Sequence, residues 1–337
     1  MMDTLTQMGV WLSDSLIAGF VSPWSRNGIL ALVVGWWVGA FAYRHYFKDE
    51  PFTWRGYLRH AFPARIYRSR SFLLDLQISL FDMLLTPMRW VAVIVSSTIA
   101  AQALAGGLTS VLGPLRHEPL GTFGTCALAI MLLLAFDLGT YITHRLSHQV
   151  PALWAFHRVH HSAEELNPLT LNRKHPVYNV LSIVVDCATV APLQALVLYG
   201  FGAETSTLAL GMANAGFVIF AYCAASLRHS HIWLSYGPVL DRIAVSPALH
   251  QIHHSRAPRH FDRNYGEVLA IWDWMFGTLY LPREREELTF GLGDEDRQPH
   301  PSFTAAMIEP FGYAWRALRP ARRGAEAPPV PAPDIQP

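Results

Sequence analysis

Charge is what this sequence has least of: 15% of its 337 residues are Asp, Glu, Lys or Arg, against about 25% in ordinary globular domains. With 51% hydrophobic residues and a mean hydropathy of +0.21, a wholly water-facing surface is hard to build. The formal net charge is +1, so the basic face expected of a nucleic-acid-binding protein is missing, and no nucleic-acid partner is expected. Three cysteines, Cys126, Cys187 and Cys223, lie in apolar runs without paired spacing, which excludes a disulfide framework and a thiolate zinc site. There is no H-E-x-x-H, no strand-flanked G-x-G-x-x-G, no internal repeat and no haem or ferredoxin-like module. Histidine, by contrast, is abundant at 16.

Long charge-poor runs come next. Arg26 to Arg44, Trp90 to Leu115, Pro119 to Phe136 and Thr205 to Leu227 carry no charge between their ends, and Val177 to Ala203 is interrupted only by Asp186. Runs of about 20 apolar residues are the mark of helices that satisfy their own backbone in hydrocarbon. Ser71 to Leu85 carries Asp75 and Asp82 two helical turns apart, which predicts an amphipathic helix lying at the interface rather than a crossing. Met1 to Leu30 lacks the basic start and cleavage site of a secretory signal, so the first run is expected to be a retained anchor. The loop after it holds Arg44, Lys48, Arg55, Arg59, Arg65, Arg68 and Arg70 against Asp49 and Glu50, which places it in the cytoplasm. Counting crossings in pairs from there brings Arg145 to Lys174 and Arg228 to Pro337, with nearly all the histidines, to that same side.

The sequence reading is therefore an all-α integral membrane protein, multi-pass, with about four to five transmembrane helices. Its expected parts are an N-terminal anchor and basic cytosolic loop (1–70), a membrane core (71–280), a C-terminal cytosolic segment (281–319) and a disordered Pro/Ala-rich tail (320–337).

The histidines fall into tight groups. His144 and His148 are four residues apart on a helical run, and His157, His160 and His161 have the spacing H-x-x-H-H, which His250, His253 and His254 repeat. On a helix each trio spans about 100° and is expected to converge on one point. His229 follows an apolar run directly, and His231 is two residues off, the wrong spacing for a shared face. A lone histidine is usually structural, but groups that share helical faces on one side of the membrane point to metal ligation, and eight or nine imidazoles suit two metals. Spacing alone does not choose among iron, zinc and copper. A membrane zinc hydrolase, a metal transporter and a haem-binding protein stand as alternatives at this point.

H-R-L-S-H at 144 to 148, W-A-F-H-R-V-H-H-S at 154 to 162, N-P-L-T at 167 to 170, R-K-H-P at 173 to 176 and S-P-A-L-H-Q-I-H-H-S at 246 to 255 together resemble the fatty acid hydroxylase and sterol desaturase superfamily. N-Y-G at 264 to 266 and I-W-D-W-M-F-G-T at 271 to 278 extend the resemblance. It implies a membrane base with a cytosolic helical cap, two iron ions, O2 as co-substrate, and oxidation of a membrane lipid such as a sterol or fatty acyl chain. It also implies reducing equivalents from a separate electron-transfer protein. The ligands it implies are His144, His148, His157, His160, His161, His229, His250, His253 and His254, with His175 either supporting them or lining the pocket, and a ligand role for it the lesser alternative. Ligating histidines usually donate their other N–H to a carboxylate or carbonyl. Asp137, two turns before His144, is the first expectation for that role, with Glu164, Asn167, Asp241, Asn264 and Asp273 also near the boxes; Asp137 and Asn264 are expected at the reacting centre.

Overall fold

The computed structural model describes residues 29–49, 51–115, 120–292 and 300–319. The start of the expected anchor (1–28) and the expected tail (320–337) lie outside the described residues. Among the described residues every regular element is a helix, and one isolated bridge pairs Ala244 with Leu269. The helices are α1 (Ile29–Tyr46), α2 (Trp54–Ala61), α3 (Ala64–Tyr67), α4 (Arg70–Leu112), α5 (Thr122–Gln149), α6 (Pro151–His161), α7 (Pro176–Arg228), α8 (Pro247–His253), α9 (Ile271–Met275) and α10 (Phe303–Leu318). Two helical stretches, Thr122–Gln149 and Pro176–Ala209, are long and apolar enough to cross a membrane.

Helix ends follow local chemistry. Ser69 caps the start of α4 by accepting from the Phe72 amide at 3.0 Å, and Gly113, at φ 82°, closes its end in the left-handed region. Between them α4 runs unbroken for 43 residues, about 64 Å. The expected amphipathic segment 71–85 is the first part of this helix. The face shared by Asp75 and Asp82 is buried rather than turned to water, because each carboxylate has a protein partner: Arg173 for Asp75, Asn179 for Asp82. In α7 the helical geometry breaks at Gly202 (φ 82°, ψ 173°), close to the boundary between two apolar runs of the sequence.

The chain divides into two compact units. One draws its described residues from 29–36, 80–143 and 179–226, the other from 37–79, 144–178 and 227–319. In the first, small residues let helices approach: Ala101, Ala191 and Ala195 form one buried cluster, and Ala129, Leu132, Val190 and Ala209 another. Gly139 is required there, since a Cβ on it would stand 2.6 Å from Thr189 Oγ1 and 2.9 Å from Asp186 Oδ1. In the second unit α10, from the 281–319 segment, packs on α6, with Ala314 against Ala155 and Phe156 and Ala306 against Val159.

Candidate metal centre

All nine expected histidines belong to the second unit, and its local structure explains how four separate stretches deliver them. Pro151 has no amide proton to continue α5 and opens α6 at its first position. The corner sets His144 and His148 at the end of α5 beside His157, with ring centroids 4.8 and 4.9 Å from it. The C-terminal end of α6 is held by Arg173, which donates to the Val159 carbonyl (3.0 Å), the Ser162 hydroxyl (2.8 Å) and Asp75 Oδ1 (2.9 Å). Asn167 and Thr170 cap the short 3₁₀ turn Pro168–Asn172 reciprocally and both donate to Asp75 Oδ2. N-P-L-T and R-K-H-P are thus the brace behind the histidine helix. His229 caps the end of α7, and Gln251 of α8 fixes the chain beyond it by donating to the Ser230 and Ile232 carbonyls at 2.8 and 2.9 Å.

The nine rings form two groups. His144, His148, His157, His161 and His253 make one, His160, His229, His250 and His254 the other, and within each group the available ring nitrogens lie within 4.8 Å of one another. The trios therefore do not converge on single points as expected. Residues i and i+4 lie about 40° apart on a helix while i+3 lies about 100° from i+4, so the i, i+4 pair serves one group and the i+3 ring the other. α6 gives His157 and His161 to the five-ring group and His160 to the four-ring group; α8 and its C-cap give His253 and the pair His250, His254 in the opposite sense.

Burial pushes the imidazoles of His157, His160, His161, His250, His253 and His254 well below their ordinary pKa, and the neighbouring rings add to the effect. Neutral rings keep the lone pair that a metal needs. Two observations test the fit. First, His144 Nε2, His148 Nε2 and both nitrogens of His157 are buried without a hydrogen-bond partner among the described residues, whereas buried polar atoms are normally paired. Second, His229 Nε2 stands 3.1 Å from His160 Nε2 and 2.8 Å from His250 Nε2, which is itself 3.2 Å from His254 Nε2. A single proton or lone pair on His229 Nε2 does not satisfy both neighbours, but a cation among the four does. Metal–nitrogen bonds of about 2.1 Å set neighbouring ligand atoms about 3.0–3.4 Å apart. The residues fit a metal in each group.

The supports behind the rings are backbone carbonyls rather than the expected carboxylates. His144 Nδ1 bonds the Tyr265 carbonyl at 2.6 Å and His253 Nδ1 the Arg263 carbonyl at 2.8 Å, leaving Nε2 of each for the group. Asp273 acts one step back, accepting from the Tyr265 and Gly266 amides at 2.8 and 2.7 Å. Asn264, expected at the reacting centre, sits at φ 55°, and its amide is fully engaged: it donates to the Leu249 and Tyr280 carbonyls and accepts from the Tyr280 amide at 2.8 Å. It is a staple for the loop that presents those carbonyls. Asp137 lies in the first unit and belongs to neither ring group. Asp241 holds Ser235 and Tyr236 before α8, and Glu165 pairs with Arg65. His175 caps α7 through Nδ1 and meets the Met307 carbonyl through Nε2 at 3.0 Å, while His231 Nε2 meets the His60 carbonyl at 2.6 Å; neither joins a ring group.

Sequence reasoning missed Glu267, the lone acid of the apolar stretch after N-Y-G, and Tyr178. Glu267 is bonded to Lys174 at 3.1 Å, and Tyr178 stacks on His157 with centroids 5.0 Å apart. Burial would raise the Glu267 carboxyl, but Lys174, His144 and Arg228 around it outweigh this and hold it ionised.

Comparison with known proteins follows the same residues. Residues 129–278 match the family model described as fatty acid hydroxylase. Among curated proteins, ornithine lipid hydroxylase OlsE of Rhizobium tropici is 30% identical over 188 residues, 56% of this chain and 51% of that protein. Alkylglycerol monooxygenase of Homo sapiens is 32% identical over 159 residues, 47% of this chain and 32% of its own length. Very-long-chain aldehyde decarbonylase GL1-1 of Oryza sativa subsp. indica is 26% identical over 166 residues, 49% and 26% of the two chains. The chain thus spans between about a quarter and about half of the length of these relatives, and no solved structure matches it. All nine imidazoles lie, with the three boxes in order, inside the stretch that is similar to the fatty acid hydroxylase family.

Proposed function

We propose that this protein is an oxidoreductase that uses O2 and two histidine-bound irons to oxidise a C–H bond of a membrane lipid. The observation that carries the reading is the gathering of nine imidazoles into a five-ring and a four-ring group. A bis-histidine haem needs two of these rings and leaves the other seven unexplained. The relatives' names specify ornithine lipid, alkylglycerol and very-long-chain aldehyde, which supports a lipid substrate and favours oxidation over hydrolysis. Two of those names denote a hydroxylase and a monooxygenase, so hydroxylation is preferred to desaturation; sterols and fatty acyl chains are among the substrates to test.

Bound iron would supply the oxidising power that no side chain has. This chain's own residues do the rest. The Arg263 and Tyr265 carbonyls fix the Nδ1–H tautomers of His253 and His144, and the brace at Arg173 holds the histidine helix. Burial of the rings excludes water from the centre. In a hydroxylation one oxygen atom enters the C–H bond and the other leaves as water, which consumes two electrons from a separate electron-transfer protein on the cytoplasmic side and two protons from the aqueous phase. The protein is read as multi-pass, with the ring groups facing that compartment.

The test is mass spectrometry of lipids from aerobic cells that express the wild type or His160→Ala. The expected result is a lipid carrying one more oxygen atom, or two fewer hydrogens, in the wild type alone. Identical lipid profiles at equal expression and with a reductant supplied would overturn the proposal.

A further inference from the structure

An amphipathic helix has one apolar face, and α10 has two. At 100° per residue Ala306, Pro310 and Ala314 fall within about 80° of its circumference, and all three are buried, Ala306 with Val159 and Ala314 with Ala155 and Phe156 of α6. Ile308, Phe311, Trp315 and Leu318 share a second arc of about 80°, centred about 120° from the first, and they are 63%, 54%, 59% and 70% exposed. Glu309 and Arg316 stand on the remaining side. Single exposed apolar residues are ordinary, but four large ones in a row along one helix make a surface suited to being covered.

Charge and place say what covers it. Arg316 and Arg319 are exposed at the end of the stripe, Arg319 with its guanidinium 5.1 Å over the Trp315 ring, and Arg322 and Arg323 follow in the sequence. From 303 to 323 the one acid is Glu309, and it is engaged with His300 at 3.1 Å. That balance fits an anionic surface. Val177, the second residue of α7, packs in the same cluster as Ala314, and α7 opens with the stretch Pro176–Ala209, long and apolar enough to cross a membrane. The uncovered stripe therefore belongs to a helix seated beside the first turn of that stretch.

Resting on the membrane reading above, we propose that α10 lies in the boundary between headgroups and acyl chains of an anionic membrane, with Ile308, Phe311, Trp315 and Leu318 inserted and Arg316 and Arg319 on lipid phosphates. Large apolar side chains on one face with arginines beside them are what such a boundary takes up, and a tryptophan under a guanidinium suits its wet edge. A second copy of the chain would bury the stripe as well, but its α10 brings these arginines no free acid. Because the same helix backs α6, one element joins the lipid surface to the histidine helix.

The experiment is labelling of the full chain by a water-soluble polymer maleimide, read as a gel shift, in lipid nanodiscs of phosphatidylcholine alone or mixed with phosphatidylglycerol. Wild type gives the background of the native cysteines. Ile308→Cys and Leu318→Cys place thiols in the stripe, and Glu309→Cys places one on the charged side. In the phosphatidylglycerol discs the thiols at 308 and 318 are expected to react about 10-fold or more slowly than the one at 309. Adding Arg316→Gln and Arg319→Gln should speed them by roughly 5-fold for each arginine removed. Thiols at 308 and 318 that react as fast as the one at 309 would overturn the inference, as would protection indifferent to lipid charge and to the arginines. Protection that persists in detergent and rises with protein concentration would assign the stripe to a second copy and equally overturn it. A wild-type chain that does not enter the discs would instead overturn the membrane reading on which the inference rests.

Discussion

Arg173→Met is the most informative single change outside the rings. Arg173 is fully buried, and its guanidinium serves the Val159 and Ser71 carbonyls, the Ser71 and Ser162 hydroxyls and Asp75 Oδ1. Methionine fills much of the stem's volume but strands the Asp75 carboxylate with only the Asn167 amide and the Thr170 hydroxyl as donors. Removing one partner of a buried ion pair costs about 3–5 kcal/mol, and the abandoned Val159 carbonyl adds roughly 1 kcal/mol more, not fully additively. At about 2–4 °C per kcal/mol, the melting midpoint of the purified protein, followed by circular dichroism in detergent, should fall by roughly 10 °C or more. Arg173→Met/Asp75→Leu should recover most of that loss, because the stranded charge is gone. A drop of less than about 2 °C in the single variant, or a double variant that simply adds two losses, would refute the view that charge burial sets the cost.

Two further outcomes follow from the geometry. Asn264→Ala removes three hydrogen bonds and places an ordinary side chain at φ 55°; it should lower iron retention about 10–100-fold through the Arg263 and Tyr265 carbonyls, and a variant that melts earlier yet keeps wild-type retention would break that link. Acid should destabilise the protein. Burial first, then His231 and Arg285, lowers His60 to about 4, and burial first, then Arg158, Arg173 and His175, lowers His300 to about 4. The unfolded chain takes up these protons near 6.5 and the folded chain does not, so stability is complete above pH 6.5 and is lost as pH falls towards 4. A melting midpoint that is flat or rises on acidification through that window would contradict this.

The histidines were legible because imidazoles at i, i+3 and i+4 have few other uses, and the break near Gly202 because the end of an apolar run acts locally. The division of each trio between two groups was not legible, since it depends on where the other helices stand. Asp75 and Asp82 show the same limit: spacing revealed that they share a face but not that the face meets Arg173 and Asn179 instead of water. The supports of His144 and His253 escaped because every residue carries a carbonyl, and only the fold selects those of 263 and 265. Asn264 drew notice for its place beside a box, yet its work is to shape a loop.

The seat of α10 against α6 bears on the order of synthesis. Every ring-bearing residue, through His254, is translated before the wall behind the histidine helix, residues 303–318. A nascent chain that has reached His254 carries every ring on helices of which one still lacks that backing.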